Sequence, residues 1–402
     1  NSVGAIMFFN TRSAVLQTLS SINFINWSDN NLYKAGKAFA NQPQYWKDFK
    51  FLFNSDFLKE RRGGLRFNVS ESEIAEAATK GGARGVVSKI LQAGFLPTQM
   101  ADSFAIASGG ATFYRNRIKS YAKQGLTEAD AQEKALQDFR EIAEESQQSS
   151  RPDRISAQQA GPLGRTILAF ANTPAQYARL TKKAASDLIN GRGDAKTNIS
   201  KLIYYGAVQN LIFNMLQKAV FALAFGDDDE DEKKKEEKYL DVANGMADGL
   251  LRGIGVYGAI ASTLKNTLMR IIKESEKSRP DYAETAVIQL LGVSPPVQSK
   301  AQKIRSAFKS YEWNKDEMRE KGFSLDNPAY MAGANVISAS VNVPLDRVIK
   351  KVDNVRNSTR EDITGLQRMM LIAGWSEWEL GIQKTRKKSR KRKSGRKVGK
   401  KR

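Results

Sequence analysis

Neither cysteine nor histidine occurs in the 402 residues of the chain. Their absence excludes disulfides, thiolate nucleophiles, zinc sites of the Cys/His type and imidazole acid–base catalysis. Sustained alternation of apolar and polar residues with β-branched side chains is also missing, and Val341-Asn342-Val343 is too short to make a sheet. Apolar residues make up 41% of the chain, which is low for densely packed globules of this length. The expectation is an all-α, elongated multi-helix assembly with thin helical layers, and a non-enzymatic one, with no catalytic, cofactor-binding or metal-binding residues. Glu141, Glu144, Glu145 and Asp153 are close in sequence but form no ligand pattern. Gly81-Gly82-Ala83-Arg84-Gly85 and Gly161-Pro162-Leu163-Gly164-Arg165-Thr166 lack the flanking strand and the Gly-Lys-Ser/Thr ending of a phosphate-cradling loop, so they read as caps or turns.

What the chain has in excess is positive charge. Its 64 Lys and Arg against 43 Asp and Glu give a net charge of +21. Thirteen of those cations lie in residues 384–402, which carry no acid, so the rest of the chain keeps +8. They are Lys384, Arg386, Lys387, Lys388, Arg390, Lys391, Arg392, Lys393, Arg396, Lys397, Lys400, Lys401 and Arg402. With only Val398 apolar and Ser and Gly as spacers, this tail cannot bury a core and is expected to be disordered. Its chemistry is phosphate neutralisation, independent of sequence and steeply dependent on salt, so nucleic acid is the preferred partner. An anionic membrane surface and a merely solvated tail are the alternatives. Phe113-Tyr114-Arg115-Asn116-Arg117 adds a compact basic-aromatic patch that reads either as a phosphate contact or as helix surface.

Helix signals run through the chain. Val15, Leu16, Leu19, Ile22, Phe24 and Ile25 recur at helical spacing before a loop at Trp27-Ser28-Asp29-Asn30-Asn31. Pro43 suits a first helical turn, after which Tyr45, Trp46, Phe49, Phe53 and Phe57 form an aromatic stripe expected to be core or subunit contact. Ser70-Glu71-Ser72-Glu73 is a capping box, and Thr127 opens a helix that residues 147–153 interrupt. Pro174 either kinks a helix or begins one.

Residues 202–225 contain one charge, Lys218, and are long enough as a helix to cross a hydrocarbon layer. Gln209, Asn210, Asn214, Gln217 and Lys218 share one half of the wheel. Val208, Leu211, Ile212, Met215, Leu216, Ala219 and Leu223 share the other. A charged block at 227–238 follows, then a second helical segment over 242–272 in which Gly245, Gly249 and Gly253 are spaced for close helix approach. Asp248 and Arg252 lie one turn apart and can pair. The two segments predict a long apolar hairpin. It either enters a membrane, with Leu211, Ile212, Met215, Leu216 and Leu223 toward lipid, or packs as a buried hairpin inside an assembly. The organisation expected is an N-terminal helical domain at 1–150, a connector at 151–200, the hairpin at 201–275, a C-terminal helical region at 276–383 and the tail at 384–402.

Residues 9–18 (FNTRSAVLQT), 21–30 (SINFINWSDN), 102–110 (DSFAIASGG), 144–154 (EESQQSSRPDR) and 169–174 (AFANTP) resemble the C-terminal part of the large polyvalent proteins of short-tailed phages. The resemblance covers about residues 5–230, fades toward 380 and does not extend to the tail. It implies a protein packaged in the virion with the genome and expelled into the host at infection, part of a much longer polypeptide. The apolar opening Val3-Gly4-Ala5-Ile6-Met7-Phe8-Phe9, without an initiator Met or a secretory cleavage pattern, agrees with Asn1 as an internal residue exposed by proteolysis. The partners implied are phage genomic DNA, other virion proteins of the portal or capsid interior, a host membrane and further copies of the chain. The rival expectation is a structural capsid, portal-associated or tail component that contacts packaged DNA without being ejected.

Overall fold

The computed structural model describes residues 10–25, 27, 29–63, 83–147, 156–169, 171–209, 232–275, 277, 281–322, 327–377 and 379–382. The apolar opening, the capping box at Ser70, the linker 148–153, the span 210–225 and the tail 384–402 lie outside the described residues. Every regular element among the described residues is helical, with one isolated bridge between Trp27 and Asn30. The fold class is all-α.

The N-terminal part is organised on α5 (Ala83–Lys123), a helix of 41 residues that runs through Pro97. Around it lie α1 (Thr11–Gln17), a 3-10 turn (Thr18–Phe24), α2 (Leu32–Ala40), α3 (Gln42–Phe53), α4 (Asp56–Gly63) and α6 (Glu128–Ser146). Local chemistry sets the boundaries. The Asn31 side chain accepts from the Lys34 N–H to start α2, Pro43 fills the first turn of α3, and the Thr127 hydroxyl accepts from the Asp130 N–H to start α6. Phe24, Leu52, Leu58, Ile106, Phe113 and Phe139 are fully buried and form the first core. Phe24 stacks on Phe139 with ring centroids 5.9 Å apart. The aromatic stripe divides: Tyr45 is buried, Phe49, Phe53 and Phe57 are half-buried against the core, and Trp46 is exposed.

Gly109 and Gly110 are where neighbours touch the α5 backbone. A Cβ on Gly109 would stand 2.1 Å from the Ser21 carbonyl oxygen, and one on Gly110 would stand 2.2 Å from the Phe139 ring. The basic-aromatic patch is neither free surface nor an open phosphate site. Phe113, Tyr114 and Asn116 are buried, and Arg115 grips the buried Asp48 with its Nε donating at 2.7 Å. Arg117 donates to Asp138 at 2.5 Å and to Asp29 at 3.2 Å. Burial, reinforced by the Asp48 charge, pushes the Tyr114 hydroxyl up to about 12.

Packing crosses the boundary expected near residue 150. After α7 (Ala157–Ala160) and α8 (Pro162–Ile167), α9 (Asn172–Ile189) and α10 (Ala195–Ile203) lead into a π turn (Tyr204–Val208). Leu180, Tyr204 and Tyr205 from this stretch join the first core. Trp27 Nε1 donates to the Tyr205 hydroxyl at 2.9 Å, and the Tyr204 hydroxyl donates to Asn23 Oδ1 at 3.1 Å. The amide of Gln176 donates to the carbonyls of Glu145 and Gln147, each at 2.6 Å, which fastens the C-terminal end of α6 to α9.

The second half holds α11 (Glu232–Gly253), α12 (Val256–Ser275), α13 (Tyr282–Leu290), a 3-10 turn (Leu291–Val293), α14 (Pro295–Lys321), α15 (Pro328–Val341), α16 (Leu345–Ser358) and α17 (Gly365–Ala373). A small core of Ile363, Met370, Leu371, Trp375, Leu380 and Ile382 closes its end. The Thr11 hydroxyl donates to the Ala373 carbonyl at 2.6 Å, tying α1 to α17. Glu284 on α13 is held by Arg305 and, at 3.0 Å, by Lys309, both on α14; these two cations lower its pKa to about 2. Because the folded value is depressed, its stabilisation is present above the ordinary carboxylate range and is lost as pH falls toward about 2. Glu284→Gln should therefore be less stable than the parent at pH 7, and the gap should close by pH 2. Urea midpoints measured at both pH values check this, and a gap that persists in acid refutes it.

Candidate functional site

The hairpin region carries the sequence's sharpest expectations, and the described part of it folds differently. The segment 242–272 is not one arm. It breaks at Ile254-Gly255, where Gly255 takes φ +97° and its N–H donates to the Arg252 carbonyl at 3.2 Å. A residue without a Cβ adopts this left-handed geometry freely, so the chain reverses there. The charged block, expected as a loop over 227–238, is helical from Glu232 onward. The hairpin seen is therefore α11 against α12, and among the described residues no helix is long and apolar enough to cross a membrane.

Its seam is polar. Asp248 does not pair with Arg252; it faces across the hairpin to Lys265 at 2.7 Å and accepts from the Ser262 hydroxyl at 2.8 Å and the Asn266 amide at 2.6 Å. Asn244 in turn donates to Asn266 Oδ1 at 3.1 Å and receives Lys265. Three donors converge on one half-buried carboxylate, a better arrangement than a single cation along its own helix. Arg252 instead reaches the Gly292 carbonyl at 3.4 Å. Sequence reading missed Ser262, Lys265 and Asn266 as partners; their recurrence on the polar side of α12 was the available signal.

Of the small residues proposed for close packing, Gly245 and Gly249 lie half-buried on α11. Gly253 meets α9, where an added Cβ would be 2.7 Å from the Pro174 carbonyl oxygen and 3.0 Å from the Ala178 Cβ. The apolar residues Leu211, Ile212, Met215, Leu216 and Leu223 and all thirteen cations of the tail lie outside the described residues. No family model, curated protein or solved structure matches the chain.

Two further features stand out. On α12, Tyr257, Leu264, Leu268 and Ile272 are exposed on one face, Tyr257 by 79% and Leu268 by 64%. Their spacing places them within about one third of the helix circumference, a continuous apolar stripe without a cover among the described residues. Glu141 and Glu144 line an open recess with Arg140 and Phe57, while Glu145 is engaged by Lys183 at 2.6 Å. Among the described residues no three carboxylates gather around one point.

Proposed function

We propose that this chain is a non-enzymatic internal protein of a phage virion, packaged with the genome in the capsid interior or near the portal and delivered to the host envelope or cytoplasm at infection. The observation that carries the reading is the acid-free tail, in which thirteen of nineteen residues are cations. A tail of that kind neutralises DNA phosphates wherever they lie, as packaging with a genome of any sequence requires. The resemblance of about residues 5–230 to phage large polyvalent proteins supports the virion setting, with DNA, portal or capsid proteins and further copies of the chain as the partners it implies. The exposed apolar stripe on α12 supports assembly with other subunits. Passage through a host membrane rests on residues 202–225 alone.

The stripe also favours a second reading, in which the protein is a fixed structural component that touches packaged DNA and stays behind. The two separate on one measurement. Particles emptied of DNA in vitro are pelleted and probed for the chain against the major capsid protein. Ejection predicts depletion of the chain by more than about tenfold, whereas full retention refutes it and leaves the structural reading.

A further inference from the structure

We propose that the recess between α3 and α6 binds a single-stranded nucleic acid, with phosphates on Lys47, Lys50 and Arg140 and one base on Phe51. The recess is open, has a volume of about 540 Å³, and is also lined by Ser55 and Leu136. Lys50 and Phe51 lie three and four residues after Lys47 on α3, so the three share a face, and Asn54 caps that helix at its C-terminus beside them. Arg140 comes from α6 on the opposite wall.

Charge argues for an anion. No described residue forms an ion pair or hydrogen bond with the side chains of Lys47, Lys50 or Arg140, whereas Arg115 and Arg117 nearby are both matched by carboxylates. The one acid on the rim, Asp56, has an 88% exposed side chain and leans toward Lys59 at 3.7 Å. Beyond Arg140 the surface turns acidic with Glu141 and Glu144, which repel phosphate and set the edge of the site. The ring argues for a base. Phe51 stacks on Tyr114 with centroids 5.6 Å apart and planes at 24°, yet remains 49% exposed, so a base can extend the stack. A duplex keeps its bases stacked on one another; an unpaired strand has a free π-face to offer. This site extends the nucleic-acid reading of the tail to the folded body, and rests on that reading only for the biological source of the strand.

The test uses the 402-residue chain with its thirteen tail cations changed to glutamine, and dye-labelled oligo-dT, oligo-U and a short duplex as probes in fluorescence anisotropy across a salt series. The tail-neutral chain should still bind both single strands and prefer them to the duplex. Lys47→Ala, Lys50→Ala and Arg140→Ala together should reduce the log–log salt slope by about 2, from three phosphates at about 0.7 each. Phe51→Ala should weaken single-strand binding about tenfold with the slope unchanged, and Phe51→Trp should restore it. Loss of all single-strand binding on tail neutralisation, with circular dichroism unchanged, overturns the site while leaving the virion reading intact. Equal weakening of single strand and duplex by Phe51→Ala overturns the base-stacking role. Retention of the chain in emptied particles would remove ejection and leave the recess standing.

Discussion

Glutamine in place of the thirteen lysines and arginines of residues 384–402 is expected to lower affinity for duplex DNA by at least about a thousandfold near 50 mM salt. Each neutralised phosphate releases condensed counterions, and log affinity falls with log salt by about 0.9 per contact. If only six of the thirteen cations touch phosphate, the parent slope is about −5, and the variant's should fall to a small residue. The loss should be similar on any DNA sequence, because neutralisation of phosphates does not depend on the bases and none of the nineteen residues is aromatic. Anisotropy with two unrelated duplexes over 50–300 mM salt measures affinity and slope together. A slope left near its parent value would place the duplex contact in the folded body and remove the tail from the proposed function.

Gly109→Ala is expected to destabilise the N-terminal core by about 3 kcal/mol, while Gly36→Ala should stabilise the chain by up to about 1 kcal/mol. Both glycines are in helices, so helix propensity alone gives the two changes the same, favourable sign. Packing reverses it at Gly109, where the new methyl would stand 2.1 Å from the Ser21 carbonyl oxygen and 2.7 Å from the Phe24 ring, while Gly36 has nothing within 4 Å. A backbone oxygen has no rotamer to move through, so the 3-10 turn that carries Ser21 must shift as a unit. That shift disturbs Phe24, which stacks on Phe139, and Asn23, whose amide donates to the Ser146 carbonyl at 3.2 Å. Urea denaturation of the two variants decides the matter; equal effects of either sign would show that Ser21 and Phe24 do not lie against α5 as described.

Much of the fold was legible because helices are bounded by chemistry within four residues. Thr127 starts α6, Pro43 starts α3, and Pro174 falls in the first turn of α9, each where its side chain or fixed φ suits a helix N-terminus. Where local signals failed, a distant partner had overruled them. Pro97, Gly109 and Gly110 each weaken a helix, yet α5 runs through all three. Its neighbours fill the space the glycines leave. Arg115 and Arg117 look like a surface patch until Asp48, 67 positions away, and Asp138, 21 positions away, are brought against them. Asp248 had a cation one turn along in Arg252, but a hairpin reversal at Gly255 presented Lys265, Ser262 and Asn266 together.

The sequence by itself determined the helical class, the helix starts at Pro43, Thr127 and Pro174, the concentration of positive charge in one tail, and the exclusion of thiol and imidazole chemistry. These follow from composition and from interactions between residues no more than a turn apart. Only the tertiary structure decided which arginines are neutralised by carboxylates, where the hairpin turns, and which arginine and which apolar stripe stand without a cover among the described residues. The reason is that a charge or an apolar face acquires its role from what stands opposite. In this chain the opposing residue is often tens of positions away, at a separation that no local pattern encodes.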